Sequence, residues 1–157
     1  MKNLLLVCLT LLLCNDLSLA QTEKNPKFNK LNIYGEVGSI LLVSSATVNL
    51  EVPIGSVKSG EVNWYARVGY GTSIVYFGSF GNGGLGALTM LKGKGKHHFE
   101  LSGGVFIGYD KEGEVTKGTF LLPLLDCGYR YQKPGKSFLF RAKIGILGAG
   151  IGLGYAF

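Results

Sequence analysis

Two adjacent histidines and a nearby serine are the residues whose types could support nucleophilic catalysis. His97 and His98 precede Glu100 and Ser102, and a serine nucleophile needs a histidine base within hydrogen-bonding reach and an acid that orients it. On an extended strand, neighbouring side chains point to opposite faces, and residues four positions apart are separated by roughly 13 Å. His98 and Ser102 would therefore share a face but lie too far apart to act together.

Three stretches contain residues that could bind a metal ion, a dinucleotide or a phosphate, and none of them makes a complete site. His97, His98 and Glu100 offer metal ligands, but no second cluster completes a tetrahedral set. The stretch 81–86 matches G-x-G-x-x-G, yet a dinucleotide site needs a helix after it, so we interpret this stretch as a flexible loop. The stretch 92–96 could cradle a phosphate or a lipid headgroup, but a solvated turn explains it more simply. We therefore predict no catalytic, metal-binding or cofactor-binding residues and no cofactor.

Charged side chains on one face of the predicted strands form a balanced set of acids and bases. An eight-stranded barrel has an interior just wide enough for side chains to fill, and an unpaired buried charge costs several kcal/mol, so charges inside must pair. The balance predicts a side-chain-filled lumen rather than an open pore. The predicted lumen charges are Glu36, Glu51, Arg67, Glu100, Asp126, Arg130, Arg141 and Lys143.

The elements that would position these charges alternate with a period of two, which indicates β-strands. From Val62 to Tyr70, for example, apolar residues occupy every second position. The pattern predicts an all-β chain in which about eight antiparallel strands form one up-and-down barrel, with the fourth strand the least regular. The predicted strands are 31–42, 45–53, 61–72, 83–91, 97–109, 118–132, 137–147 and 149–157.

Short connections alternate with longer ones along the chain. If the barrel spans a membrane, we assign the turns 55–60, 92–96 and 133–136 to its periplasmic side. We assign the loops 72–82 and 110–117 to its outer side. The connections at 42–45 and 147–149 are very tight. Short turns on one side and longer loops on the other are typical of a transmembrane barrel.

The start of the chain has the layout of a secretory signal peptide. Lys2 precedes an apolar run from Leu4 to Leu13, and a small residue, Ala20, ends the segment. The run reaches roughly 15 Å as a helix, half of a bilayer core. We predict a signal peptide at 1–20, a short periplasmic segment at 21–30 and the barrel domain at 31–157. Cleavage at Cys14 with lipidation is the alternative, although Leu13 is larger than the residue that usually precedes a lipidated cysteine.

Composition narrows the class further. If Cys8 and Cys14 leave with the signal peptide, Cys127 is the only cysteine, so no intramolecular disulfide is expected. The formal net charge of +6 could suggest nucleic acid as a partner, but the lysines cluster in turns and an exported protein rarely meets nucleic acid. We therefore expect no nucleic-acid partner.

Aromatic residues on the apolar face favour a membrane over a soluble core. They cluster near the strand ends assigned to the periplasm, and Tyr70 and Tyr109 lie near the opposite ends, as in the aromatic girdles of membrane barrels. A soluble barrel, in which the apolar face forms the core, is the alternative. The clustered residues are Trp64, Phe99, Tyr129, Tyr131, Phe138, Phe140, Tyr155 and Phe157.

The last strand carries the most specific pattern. Ile151, Leu153, Tyr155 and Phe157 alternate, and the chain ends on an aromatic residue. This ending resembles the terminal strand by which outer-membrane barrels are recognised by their assembly machinery, with Gly152, Tyr155 and Phe157 at the matching positions and Gly150 where a polar residue is usual.

The chain as a whole resembles small outer-membrane β-barrels of Gram-negative bacteria, in the general shape of the membrane domain of outer-membrane protein A. The resemblance is closest to short barrels without an established activity, through the stretches 34–36, 95–101, 128–132 and 152–157. It implies a monomeric barrel in contact with outer-membrane lipids and with the assembly machinery. We expect a structural or interaction role without catalysis; the alternatives are a barrel that binds a lipid or small hydrophobe, in the membrane or as a soluble exported carrier, and a lipid-modifying enzyme.

Overall fold

The chain folds into eight β-strands. The computed structural model describes residues 31–40, 43–57, 62–75, 79–93, 95–110, 118–146 and 148–157. The predicted signal peptide and the segment 21–30 lie outside the described residues. The strands are β1 (Asn32–Ile40), β2 (Val43–Val57), β3 (Val62–Val75), β4 (Ser79–Lys92), β5 (His97–Asp110), β6 (Gly118–Gln132), β7 (Phe138–Gly145) and β8 (Gly148–Ala156).

The eight strands form one closed barrel in which each strand pairs with its neighbour in sequence. Every pairing is antiparallel, and the pairing of β1 with β8 closes the sheet. The predicted all-β, up-and-down barrel of about eight strands is therefore confirmed. Following paired residues once around the barrel leads back to β1 displaced by about ten positions, a stagger that accompanies strands tilted by roughly 35–45° to the barrel axis.

We call the end of the barrel that carries both the start of β1 and the end of β8 the proximal end, and the opposite end the distal end. At the proximal end the chain turns at 133–137, as predicted, with Gly135 at a φ of 71°. This positive φ suits glycine because other residues would clash there. The tight predicted connections lie at the distal end, since Ile40 pairs with Val43 and Gly145 with Gly148.

The prediction of a loop at 72–82 is wrong, and so is that of a flexible loop at 81–86. β3 continues to Val75 and β4 begins at Ser79, so Thr72 pairs with Asn82 inside the sheet. The glycines of this stretch form part of β4. At Gly83, glycine is required because the backbone of the neighbouring strand approaches closely. A Cβ on Gly83 would lie 2.1 Å from the carbonyl oxygen of Ile107, which only glycine avoids.

The predicted turn at 55–60 also begins too early. β2 continues to Val57, with an irregularity in its pairing to β3 between Pro53 and Gly55. A bulge at this position accommodates a proline, which cannot donate a ladder hydrogen bond. Of the predicted loop 110–117, Asp110 ends β5 and the remainder lies outside the described residues. In the part of the chain that is described, no helix is both long enough and apolar enough to span a membrane.

Candidate functional site

All eight charges predicted for the lumen lie inside the barrel. Each is less than a tenth exposed, and Glu51 and Arg130 are fully buried. They come from six strands, every strand except β4 and β8, because alternation directs one residue in two toward the interior. We call these eight residues, listed here by strand, the charged layer: Glu36 on β1, Glu51 on β2, Arg67 on β3, Glu100 on β5, Asp126 and Arg130 on β6, and Arg141 and Lys143 on β7.

Arg130 occupies the centre of the proximal half of the layer. Its two terminal nitrogens donate to the two carboxylate oxygens of Glu51 at 2.7 and 2.9 Å, and its Nε donates to Glu100 Oε2 at 2.7 Å. A guanidinium that binds one carboxylate with two parallel hydrogen bonds is held in a defined orientation as well as neutralised. Arg130 therefore ties β6 across the lumen to β2 and to the neighbouring strand β5.

Arg141 and Lys143 extend the network toward the distal end. Arg141 donates to Glu100 Oε1 and to the Tyr34 hydroxyl, and it lies 2.8 Å from Glu36 Oε2. Lys143 contacts Glu36 at 2.5 Å and Asp126 at 2.9 Å. Each acid of the layer therefore contacts at least one base, which meets the condition for burying charges without neutralising them.

Uncharged residues complete the layer, and the prediction did not include them. Tyr34 donates its hydroxyl to Glu51 Oε1 at 2.7 Å, and the Arg141 guanidinium carbon lies 4.8 Å from the centre of the Tyr34 ring. Asn49 accepts a hydrogen bond from Arg67 Nε at 3.1 Å. Both lie on the inward face given by period-two alternation, so the alternation alone could have identified them.

β8 provides the space for these side chains. Its inward positions are glycine or alanine throughout, from Gly148 to Ala156. A Cβ on Gly152 would lie 2.8 Å from Cγ of Arg141, so the arginine side chain lies directly against the backbone of β8. The paired side chains of the layer are therefore buried together inside the barrel, and they connect strands that are not neighbours in the sheet.

The two histidines point in opposite directions. His98 is buried in the interior, where its Nε2 bonds to the Gln132 carbonyl oxygen at 3.2 Å, whereas His97 is exposed and bonds to the Tyr129 hydroxyl. The Ser102 hydroxyl bonds to Thr89 and to Glu100. The hydrogen bonds of Ser102 therefore connect it to Thr89 and to the charged layer, and not to a histidine. Within the described ranges, no three His, Cys, Asp or Glu side chains are grouped so as to hold a metal ion.

The distal part of the lumen has a different lining. Leu85, Phe106 and Leu124 are buried against one another on β4, β5 and β6, and Phe120 and Leu122 pack on them while half-buried. We call these five residues the apolar cluster. Leu85 pairs with Phe106 and Phe106 with Leu122, so three neighbouring strands place a row of apolar side chains at one level.

Two residues of the predicted assembly pattern, Gly152 and Tyr155, lie on β8, which closes the barrel by pairing with β1, and Phe157 directly follows β8. Gly152 faces inward against Arg141, whereas Tyr155 and Phe157 face outward and are exposed, with ring centres 4.7 Å apart. The backbone nitrogen of Phe157 donates to the Leu31 carbonyl oxygen at 2.8 Å. The last residue of the chain therefore takes part in the closing pair of strands.

Comparison with known proteins identifies no relative: no protein-family model, no curated protein and no solved structure matches the chain.

Proposed function

We propose that this chain is an integral β-barrel of the outer membrane of a Gram-negative bacterium, with a closed lumen and a structural or interaction role rather than a catalytic one. The observation that carries the proposal is the inverted distribution of polarity. Arg130 and Glu51 are fully buried, whereas Val68 is 56 % exposed. In a soluble barrel the large aliphatic side chains would be inside, because burial removes them from water.

The exposed aliphatic residues form a band around the whole barrel. Each strand contributes at least one, which supports a lipid environment on every side. The sheet is also closed, and closure is required in lipid because an open edge would leave backbone groups without partners. Representative residues, one from each strand in order, are Val37, Val48, Val68, Leu88, Ile107, Leu125, Ile144 and Ile151.

Aromatic side chains flank this band. Tyr70 and Tyr109 are exposed toward the distal end, and rings at both borders are expected where a barrel meets the two membrane interfaces. Under this proposal the proximal end faces the periplasm. The exposed aromatic residues toward the proximal end are Trp64, Phe99, Tyr129, Phe138, Tyr155 and Phe157.

A charge placed in the middle of the band tests the membrane location. We expect Val68→Arg to lower the free energy of unfolding of the barrel in lipid vesicles by about 2–4 kcal/mol, since this is the cost of an arginine near the bilayer midplane. Val57→Arg, at the proximal end of β2 and similarly exposed, is the matched control and is expected to cost at most about 1 kcal/mol. Equal small effects at both positions, measured by urea titration, would argue against a lipid-facing band.

The C-terminal strand supports recognition by the barrel assembly machinery. Phe157 is exposed and contributes to the pairing of the closing strands, so its loss removes an aromatic anchor without disturbing the lumen. We expect deletion of Phe157 to lower the amount of folded barrel in the outer membrane while export continues. Fractionation and immunoblotting measure both quantities, and an unchanged amount of folded barrel would contradict a role in assembly.

A further inference from the structure

The wall of the barrel is incomplete at the distal end between β6 and β7. β6 pairs with β5 along almost its whole length, from Gly118 to Tyr131, but it pairs with β7 only from Asp126 onward. β7 ends at Gly145, and β8 begins at Gly148. Within the described part of the chain, no strand pairs with the segment 118–125 of β6 on its β7 side. We call this opening the β6–β7 gap.

The free edge of β6 is a poor template for another strand. The Leu125 carbonyl oxygen accepts a hydrogen bond from the Ile146 nitrogen at 3.1 Å, so the backbone groups of Leu125 point toward β7. Alternation directs those of Pro123, two residues away, to the same side. Proline has no N–H to donate, and a proline on a free edge hinders the addition of a further strand. We therefore expect a molecule that occupies the gap to contact side chains rather than the backbone.

Behind the gap lies the apolar cluster. Phe120 and Leu122 are two positions apart on β6, so both face the lumen. Leu122 pairs with Phe106 on β5. Phe106 is 1 % exposed and covered by its neighbours, whereas Phe120 and Leu122 keep part of their surface accessible. The accessible part of the cluster therefore belongs to the strand that borders the opening.

The outer surface beside the gap is apolar as well. Leu121 is 64 % exposed and pairs with Ile107, and Ile146, directly after β7, is exposed as well. These side chains continue the aliphatic band, so under the proposed membrane location hydrocarbon lies directly outside the gap. The side chains that border the gap are therefore apolar both outside the barrel, at Leu121 and Ile146, and inside it, at Phe120 and Leu122. The floor of the gap is polar, because Asp126 and Lys143 of the charged layer pair at 2.9 Å where the pairing of β6 with β7 begins.

We propose that the β6–β7 gap is a lateral binding site for one acyl chain of a membrane lipid in the distal leaflet. The chain enters between β6 and β7, lies against Phe120, Leu122 and Phe106, and stops above the charged layer. This inference rests on the membrane location proposed above. The occupant is hydrocarbon because the side chains on both sides of the gap are apolar and because Pro123 offers no backbone N–H on the free edge of β6.

Contact-range photocrosslinking in the full mature chain tests the proposal. p-Benzoylphenylalanine replaces Phe120 in a barrel refolded into phosphatidylcholine vesicles, and the mass of the irradiated protein reports an attached lipid. The same substitution of Leu122 is a second probe of the site. Leu121, which faces outward next to Phe120, reports the membrane itself. Tyr65, an inward aromatic residue that is fully buried beside Arg130, is the control inside the lumen.

The expected result is a phosphatidylcholine adduct at Phe120 or Leu122, an adduct at Leu121 and none at Tyr65. Adducts at Leu121 alone would overturn the acyl-chain site and leave the membrane location intact. Adducts at none of the four positions would overturn the membrane location together with the site. A crosslink from Phe120 to a second copy, or to residues 111–117 of the same chain, would mean that protein covers the gap and would also overturn the proposal.

Discussion

The charged layer and the apolar cluster occupy the same lumen but are built in opposite ways. In the layer, Arg130 makes three hydrogen bonds to two carboxylates on two other strands, so its position depends on all of its partners. In the cluster, Phe106 contacts aliphatic and aromatic neighbours without a directional bond. The layer spans the barrel, whereas the cluster covers only β4, β5 and β6 and ends at the β6–β7 gap.

From this difference we expect the charged layer to be rigid and the apolar cluster to be adaptable. Directional bonds between buried charges are lost entirely when one partner is removed, since the other charge stays buried. Apolar contacts are non-directional and redistribute when a side chain changes shape. We therefore expect the layer to determine the stability and closure of the barrel, and the distal cluster to tolerate substitution and contact ligands.

Removal of a central acid should have the largest effect. Glu51→Ala removes the carboxylate that accepts two hydrogen bonds from the fully buried Arg130. It also removes the acceptor of the hydrogen bond from the Tyr34 hydroxyl. We expect the free energy of unfolding to fall by about 3–5 kcal/mol, as measured by urea titration in vesicles. Glu51→Gln keeps the shape but not the charge, and it should reproduce most of the loss. A Gln variant as stable as the original chain would show that packing, rather than charge, determines the stability of this region.

Filling the space beside Arg141 should have an intermediate effect. A Cβ at position 152 would lie 2.8 Å from Arg141 Cγ and 3.2 Å from the Gly35 carbonyl oxygen, so Gly152→Val must displace the arginine from its acids. We expect a loss of about 1–3 kcal/mol. Gly86→Val is the matched control because Gly86 is exposed on β4 and a Cβ there meets nothing within 4 Å. Equal stabilities of the two variants would contradict close packing of β8 against the layer.

A change of shape within the cluster should have the smallest effect. Phe106→Leu replaces a buried ring with a smaller apolar side chain next to half-buried neighbours that can move into the space. We expect a cost of about 1 kcal/mol in the same titration, below the 3–5 kcal/mol or so typical of truncating a buried Phe to Ala. A loss as large as that of Glu51→Ala would remove the contrast between the two regions.

The sequence predicted the architecture well because the two sides of this sheet differ strongly in polarity. Alternation between apolar and polar residues predicted eight strands, of which the fourth was the least regular, and all eight charges of the layer face the interior. The errors concern strand ends. Glycine was interpreted as a loop former at 81–86, whereas the curvature of the sheet brings the backbone of β5 against Gly83, a contact that residue type alone does not reveal.

The sequence predicted which residues belong to the charged layer better than it predicted which of them pair with one another. Balance between acids and bases indicated pairing, but the pairing of Arg130 with Glu51, 79 positions away in sequence, depends on the stagger between strands. The β6–β7 gap likewise results from the unequal lengths of β6 and β7. Register and stagger are properties of the closed sheet, and period-two alternation carries no information about them beyond the face on which each residue lies.

We propose that this closed barrel is integral to the outer membrane, and one experiment tests that location directly. The most direct measurement is migration on cold detergent gels, with and without boiling, of protein from purified outer membranes washed with carbonate. We expect the protein to stay with the membrane and to migrate differently before and after boiling, as a folded barrel does. A protein released by the wash, with identical migration in both samples, would contradict the membrane location and would favour a soluble exported barrel.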